Sequence, residues 1–307
     1  MLSYRFHLHH HLSAHTAISA ALALASALAF AIAIVAQQRA AEQVSDEHAR
    51  SGRLFHQLIR SRLWVAGTVS NTLGFVLQAV ALGFGSLLVV QPLLVSSLLF
   101  ALPLSAWLAH RRISKPVVRW ALLLVVALAV FVTVGNPNHG ADHGTKAAWL
   151  IAAAILGPLI AASLVAAGRA HGARRASLLA VATGLLGGML AVFTKGVVGV
   201  IGHRGVLSIF GHWELYGLIV VGVAGVYLQQ LSFQAGALQA SWPIITVLEP
   251  IVAAALGLGL LHETMRVDHL RLVLLILAAL AMVLATAALA RRAALDAPPP
   301  AVEVHEA

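Results

Sequence analysis

The sequence contains no cysteine and few charged residues. Without cysteine the chain cannot form a disulfide bond, a thiolate metal site or a thiol nucleophile. Only 10% of its 307 residues are Asp, Glu, Lys or Arg, against about 25% in an ordinary soluble domain. Hydrophobic residues make up 60% of the chain, and burying so much apolar surface needs lipid. The scarcity of charge therefore argues against an ordinary soluble enzyme.

Long apolar runs account for most of the chain. A helix crosses the hydrocarbon core of a bilayer in about 20 apolar residues. Runs of about this length cover residues 16–36, 63–82, 86–109, 116–135, 147–167, 176–200, 213–233, 235–261 and 272–290. We therefore predict an all-α integral membrane protein with about nine transmembrane helices.

The basic residues follow the predicted topology. The net charge is +9, but the arginines and lysines concentrate in alternate loops, for example at Arg39, Arg111, Arg174 and Arg291. Cytoplasmic loops of membrane proteins carry this excess of Lys and Arg. The pattern predicts an external amino terminus and a cytoplasmic carboxy terminus. It also explains the basic charge without nucleic-acid binding.

The remaining segments predict the domain organisation. The His-rich residues 1–15 and the proline-containing and acidic residues 291–307 are typical of disordered tails. Residues 136–146 contain Asn-Pro-Asn and glycines, and they predict an external linker. This linker divides the membrane region into a first half of four helices, 16–135, and a second half of five, 147–290.

A helical hairpin occurs twice, at a constant spacing of 151 residues. Gly74, Leu77, Gln78, Gly85, Leu87 and Pro92 match Gly225, Leu228, Gln229, Gly236, Leu238 and Pro243. The second copy follows the first by five spans, an odd number, so it enters the membrane from the opposite side. Such inverted repeats are a hallmark of secondary transporters, whose substrate site lies near the bilayer midplane between the halves.

Four segments carry a resemblance to the drug/metabolite transporter superfamily, whose members have two EamA-type repeats. They read VAQQRAAEQ, LQAVALGFGSLLVVQPLL, AVFTKGVVG and LQQLSFQAGALQASWPIITVLEPIVAAALGLGLLHE. Within the superfamily the chain is similar to an actinobacterial branch related to NIPA-type magnesium transporters. The resemblance spans roughly residues 16–290. It implies a transporter of the plasma membrane that works by alternating access.

Two features depart from the family pattern. The first half has four spans, as though its second helix were absent. His110, Arg111 and Arg112 stand where the family has a helix-terminal glutamate, whereas the second half keeps that acid as Glu263. The loss of one helix would also explain an external amino terminus.

Glu249 is the only acid deep within a hydrophobic run. A charge at the bilayer centre costs about 2.5–3.5 kcal/mol on insertion scales, so such residues are functional candidates by default. Pro250 follows it and removes one helix hydrogen-bond donor. We interpret Glu249 as a cation or proton site, and as the one candidate metal ligand. The alternative is a structural ion pair, for which Lys195 is the candidate partner.

Polar and amphipathic residues of the two hairpins extend this predicted site. The candidate substrate or ion ligands are Glu249, Lys195, Gln78, Gln229, Gln230, Asn71, Tyr227 and Trp242. Gln91 and Gln239 add further amides. Amides can serve a cation or an organic solute, and hydrogen bonding between helices is the structural alternative. Pro92, Pro243 and Pro250 predict bends used in gating or purely structural kinks.

The predicted function is transport of a small solute or a divalent cation, such as Mg2+, by a secondary transporter or permease. One alternative is a proton-coupled exporter of small polar metabolites or drugs. Another, of a different class, is a non-transporting membrane scaffold or regulatory subunit. No enzyme activity and no cofactor are expected: His262 and Glu263 begin a zinc-protease motif, but Arg266 replaces its second histidine. The expected partners are the lipid bilayer and the transported species, and a homodimer is left open.

Overall fold

A computed structural model of the protein describes residues 2–42, 61–108, 110, 112–135, 137–138, 140–141, 144–235, 238–265 and 268–296. Nine helical segments in this part of the chain are long and apolar enough to cross a bilayer. Their bounds lie within a few residues of the nine predicted runs. The prediction of an all-α chain with about nine membrane-spanning helices is therefore confirmed at the level of helix number, length and composition.

Ten helices are described in these residue ranges. They are α1 (Leu2–Glu42), α2 (Arg62–Phe84), α3 (Leu87–Leu94), α4 (Ser97–Leu108), α5 (Lys115–Gly135), α6 (Lys146–Arg169), α7 (Gly172–Arg204), α8 (Trp213–Ala235), α9 (Leu238–Gly259) and α10 (His269–Asp296). Helices α3 and α4 together form one span, Leu87–Leu108. A short 3-10 helix, Val206–Gly211, joins α7 to α8.

Two very short strands connect the predicted linker to the segment that follows α9. Strand β1 (Pro137–Asn138) pairs antiparallel with β2 (Thr264–Met265). Nearby, Ala141 N donates a hydrogen bond to Leu261 O at 2.7 Å. These contacts hold the connection between the predicted halves against the end of α9.

Side-chain caps fix the start of several helices. Thr145 Oγ1 accepts a hydrogen bond from Ala148 N at 3.2 Å, at the beginning of α6. Asp268 Oδ1 accepts one from Arg271 N at 3.0 Å, at the beginning of α10. The first turn of a helix has N–H groups without a partner inside the helix, and these oxygens satisfy one of them each.

Helix α7 lies at the centre of the bundle and packs against α2, α6, α8 and α9. In the most apolar 18-residue stretch of α7, 67% of the residues are buried, against 11% in the corresponding stretch of α8. Helix α1 packs against α2, α3 and α4, and α5 packs against α10. Large apolar side chains such as Leu150, Val220 and Leu284 point outward and are exposed. An apolar outer surface of this kind suits a protein surrounded by lipid.

Glycines on α7 allow α9 to approach closely. A Cβ atom on Gly188 would lie 2.5 Å from the Cβ of Val252, and one on Gly184 would lie 2.8 Å from the Cβ of Leu248. Side chains at either glycine would force the two helices apart. Small residues bring helix backbones together in this way inside membranes.

The two ends of the chain differ from the prediction. Helix α1 begins at Leu2 and α10 continues to Asp296, so residues 2–15 and 291–296 are helical in the structure although the sequence predicted disordered tails. Neither segment contains a glycine or proline that would interrupt the helix. The rest of the predicted carboxy-terminal tail, residues 297–307, lies outside the described residues.

Candidate functional site

Glu249 lies in the middle of α9 and is partly buried. Its side chain packs against Gly187 of α7, where a Cβ atom would lie 3.0 Å from Glu249 Cγ and 3.1 Å from Oε2. The glycine therefore leaves the space that the carboxylate occupies. Within the described part of the chain, Glu249 forms no hydrogen bond and no ion pair. Glu249 is therefore a carboxylate in the middle of an apolar helix.

Lys195 does not pair with Glu249. Its Nζ lies 2.5 Å from Glu263 Oε1, and the two side chains are 2% and 0% exposed. The suggested Lys195–Glu249 pair is therefore wrong. Lys195 is eight residues beyond Gly187 on α7, which places it about 12 Å further along the helix axis. Lys195 is also too well buried to extend its ammonium group towards the membrane surface.

Glu263 caps helix α3 as well as pairing with Lys195. Leu87 N donates to Glu263 Oε1 at 2.8 Å, and Leu88 N donates to Oε2 at 3.1 Å. Ser86 occupies the N-cap position of α3 but makes no side-chain capping bond. A carboxylate at a helix N-terminus is favoured by the helix dipole and forms strong charge-assisted hydrogen bonds. One side chain thus joins α7, α3 and the end of α9.

The chain folds back after α9 to place Glu263 there. His262 has a left-handed backbone, with φ +52°, and Glu263 N donates to Gly257 O at 2.9 Å. Two glycines make room for the side chain: a Cβ atom on Gly257 would lie 2.7 Å from Glu263 Oε2, and one on Gly140 would lie 2.8 Å from Cγ. The carboxylate is therefore enclosed by backbone.

The pairing of Lys195 with Glu263 is the contact that the sequence analysis missed. Both residues were noted, Lys195 as a candidate partner of Glu249 and Glu263 as a family-like acid. A usable signal existed, because each lies near the same predicted membrane surface: Lys195 near the end of its span and Glu263 just after the end of another.

The other predicted ligands are dispersed over the bundle. Gln78 on α2 is buried, Asn71 and Gln229 are partly buried, and Tyr227 and Gln230 are exposed on α8. Helices α2 and α8 share no extended interface among the described residues, so the structure does not unite Gln78 and Gln229 in one cavity.

Trp242 is partly buried and contacts Phe233, with ring centroids 5.9 Å apart. Its ring therefore packs between α8 and α9. Nothing in the described residues places it beside Glu249.

The prolines behave differently from one another. Pro92 lies near the end of α3, and the span breaks at Val95 and Ser96 before α4 begins. Pro243 and Pro250 lie inside α9, which continues through both of them. The break is therefore specific to the first hairpin.

No preformed metal cluster accompanies Glu249 in the part of the chain that the structure describes. No three His, Asp or Glu side chains lie close enough there to hold a metal ion together. A divalent cation at Glu249 would have one carboxylate and would need to keep much of its water shell, as Mg2+ does readily.

The fold and the composition define a multi-pass α-helical membrane protein. The chain is 37% identical over 269 residues to the uncharacterized protein Cgl0250/cg0304 of Corynebacterium glutamicum, in a match that covers 86% of this chain and 91% of that protein. The chain therefore belongs to the same family as that protein. Comparison with the models of known protein families gives no match, and none of the solved structures matches.

Proposed function

We propose that the protein is a secondary transporter of the drug/metabolite type that moves a small solute or a divalent cation, such as Mg2+, across the plasma membrane. Glu249 is its charge-bearing residue, and the two halves expose it to each side in turn. The observation that carries the proposal is the mid-span position of a carboxylate that no described protein group neutralises. Charges of this kind mark substrate and ion pathways in membrane proteins.

The lengths of the helices support a duplication. Helices α2 and α8 both have 23 residues, and their first and last residues are 151 positions apart. The span Leu87–Leu108 and helix α9 both have 22 residues with the same spacing. The spacing equals that of the repeated sequence motif. These equalities favour two copies of one hairpin, which inverted-repeat transporters place on either side of a central site.

The contrast between Glu249 and Glu263 supports the choice of Glu249. Glu263 already accepts bonds from Lys195 and from two backbone amides. A substrate would have to displace these partners. Glu249 has none to displace among the described residues, so a proton, a cation or a donor group of a solute can bind it directly.

Flux measurements test this proposal. The purified protein is reconstituted into liposomes that contain a Mg2+ indicator, and Glu249→Gln is compared with the wild type, with and without an imposed proton gradient. We expect saturable flux that the substitution abolishes. If Mg2+ does not move, efflux of small polar solutes driven by the proton gradient is measured with the same two proteins. Transport that is equal in the wild type and the variant would contradict the role of Glu249.

One observation favours the non-transporting alternative. Two shallow grooves lie on the surface of the described residues, one at Lys115 and Arg119 and one along Tyr227 and Gln230, and neither is lined by Glu249. A scaffold or regulatory subunit would be packed in this way permanently. It predicts that Glu249→Gln changes stability and that the folded protein transports nothing.

A further inference from the structure

The first two turns of α5 carry two basic side chains on one face. Lys115 and Arg119 are four residues apart, so they lie on the same side of the helix. Both are exposed, and within the described residues neither has a hydrogen-bond or ion-pair partner. Together with Ile113 and Val118 they line a shallow groove of about 500 Å³. The groove therefore combines two cations with two apolar walls.

The groove lies at the depth where lipid headgroups meet the hydrocarbon core. Arg119 is about 6 Å further along the helix axis than Lys115, and no charged residue follows it in α5. Trp107, near the end of α4, is 74% exposed, and Trp120 follows Arg119 directly. Tryptophan is enriched at this boundary in membrane proteins. The two cations are therefore within reach of lipid phosphates.

The end of the bundle that holds the groove is basic. Strand β1 follows α5 and pairs with β2, which precedes α10, so α10 ends at the surface where α5 begins. Arg112, Arg291 and Arg292 add positive charge at this surface. The acidic side chains that the structure describes are in mid-span or at the opposite end: Glu249, and Glu214, Glu263 and Asp268. The described part of the chain therefore offers the groove no carboxylate.

An apolar stripe continues from the groove along the outer face of α5. Leu122 and Val126 lie two turns beyond Lys115 and Arg119 and occupy the same face of the helix. Both are exposed. This face presents two cations and then apolar surface, in the order in which a phospholipid presents its phosphate and its acyl chains. A free phosphate would use only the first part of it.

From this arrangement we propose that the groove on α5 binds an anionic phospholipid of the surrounding bilayer, with its phosphate on Lys115 and Arg119 and an acyl chain along Leu122 and Val126. Basic pockets between membrane-spanning helices bind the headgroups of anionic lipids in this way. Arg119 can donate two parallel hydrogen bonds to a phosphate, and Lys115 adds a point charge. The site requires no transport, so it does not depend on the proposed function.

The two cations select an anionic lipid over a zwitterionic one. In phosphatidylcholine the ammonium of the headgroup neutralises the phosphate, which leaves little net attraction to Lys115 and Arg119. Phosphatidylglycerol keeps a net negative charge. A basic side chain near an anionic membrane surface strengthens binding about fivefold. Two such side chains should favour phosphatidylglycerol over phosphatidylcholine by about tenfold or more.

Fluorescence quenching by labelled lipids measures this selectivity. Because the chain has no cysteine, Leu122→Cys introduces a single thiol beside the expected acyl chain, and this thiol is labelled with bimane. The protein is reconstituted in phosphatidylcholine that contains a small fraction of phosphatidylglycerol or phosphatidylcholine with a nitroxide on its acyl chain. The nitroxide quenches a fluorophore that it contacts. We expect the labelled phosphatidylglycerol to give equal quenching at about a tenth of the mole fraction.

Two pairs of substitutions separate the groove from the general charge of the surface. Lys115→Gln with Arg119→Gln removes both cations of the groove. Arg174→Gln with Arg175→Gln is the matched control, because it removes the same charge from exposed residues at the start of α7, which begins at the same surface. All four side chains are exposed, so the variants should fold. We expect the first pair to lower the preference to about one, and the control pair to leave it within about twofold.

Three results would overturn the site. The first is equal quenching by the two lipids in the protein that keeps Lys115 and Arg119. The second is a preference that the Lys115 and Arg119 substitutions leave unchanged. The third is an equal loss of preference in the control pair, which would identify general surface charge only.

The source of the phosphate is tested in the same liposomes. Inorganic phosphate is added while the ionic strength is held constant with NaCl. A lipid site should keep its preference for phosphatidylglycerol, because the acyl chain along Leu122 and Val126 adds contacts that a free anion lacks. Loss of the preference on addition of phosphate would contradict the lipid and identify a site for the free anion.

Discussion

Replacing Glu263 should destabilise the protein more than replacing Lys195. Removing one partner of a buried ion pair costs about 3–5 kcal/mol, because the other charge stays buried without compensation. Lys195→Met leaves a carboxylate that still accepts from Leu87 N and Leu88 N. The retained bonds place its expected cost at the lower end, about 3 kcal/mol.

Glu263→Ala removes more. It leaves a buried ammonium at Lys195 and also leaves the N–H groups of Leu87 and Leu88 without an acceptor. An unpaired buried donor costs about 1–3 kcal/mol. We therefore expect a loss of unfolding free energy of about 5 kcal/mol or more for Glu263→Ala. Because the two residues are in direct contact, the double variant Lys195→Met with Glu263→Ala should cost less than the two single changes added together.

Unfolding in mixed micelles, titrated with sodium dodecyl sulfate and followed by tryptophan fluorescence, measures these differences. The chain has six tryptophans to report the transition. Lys146→Met is the matched control because Lys146 is exposed, and it should change the unfolding free energy by less than about 0.5 kcal/mol. A cost for Glu263→Ala no larger than that of the control, or a larger cost for Lys195→Met than for Glu263→Ala, would refute the reasoning.

Two further changes probe the packing. Gly188→Ala should lower the unfolding free energy by about 1–3 kcal/mol, because the new methyl group overpacks against Val252. Gly202→Ala is the control: its methyl group meets no atom within 4 Å, so the change should be neutral or stabilising. Equal effects of the two substitutions in the same titration would contradict the close approach of α7 and α9. Ser26→Ala should lower the unfolding free energy by about 0.6 kcal/mol, because it removes the 2.7 Å hydrogen bond from Ser26 Oγ to Gly74 O. A change within experimental error would show that this bond contributes nothing to stability.

The sequence predicted the helices well because their signal is local. Each span is a long apolar run bounded by polar residues, and the bilayer thickness sets its length. The amino-terminal segment is the exception: polarity and histidines suggested disorder, but the absence of glycine and proline up to Glu42 lets α1 begin at Leu2. Polarity was therefore the weaker guide to this helix boundary.

Most partners of the polar residues were not predicted, because they depend on how the helices pack. Lys195 contacts Glu263 since a left-handed turn at His262 folds the chain back, and no local pattern reveals that turn. The repeated Gln78 and Gln229 suggested a common site, but they lie on helices without a shared extended interface. Gln91 was noted only as an additional amide, and its burial without a partner is visible only in the folded structure.

Exposure of residue 249 to both sides of the membrane is the central claim, and cysteine labelling measures it directly. Glu249→Cys in the cysteine-free chain is treated with a membrane-impermeant thiol reagent in right-side-out and in inside-out vesicles. Alternating access predicts labelling in both preparations, provided that the reaction time is long enough for the protein to change conformation. Labelling from neither side would contradict the account and identify a permanently packed membrane protein, and labelling from one side alone would contradict alternating access.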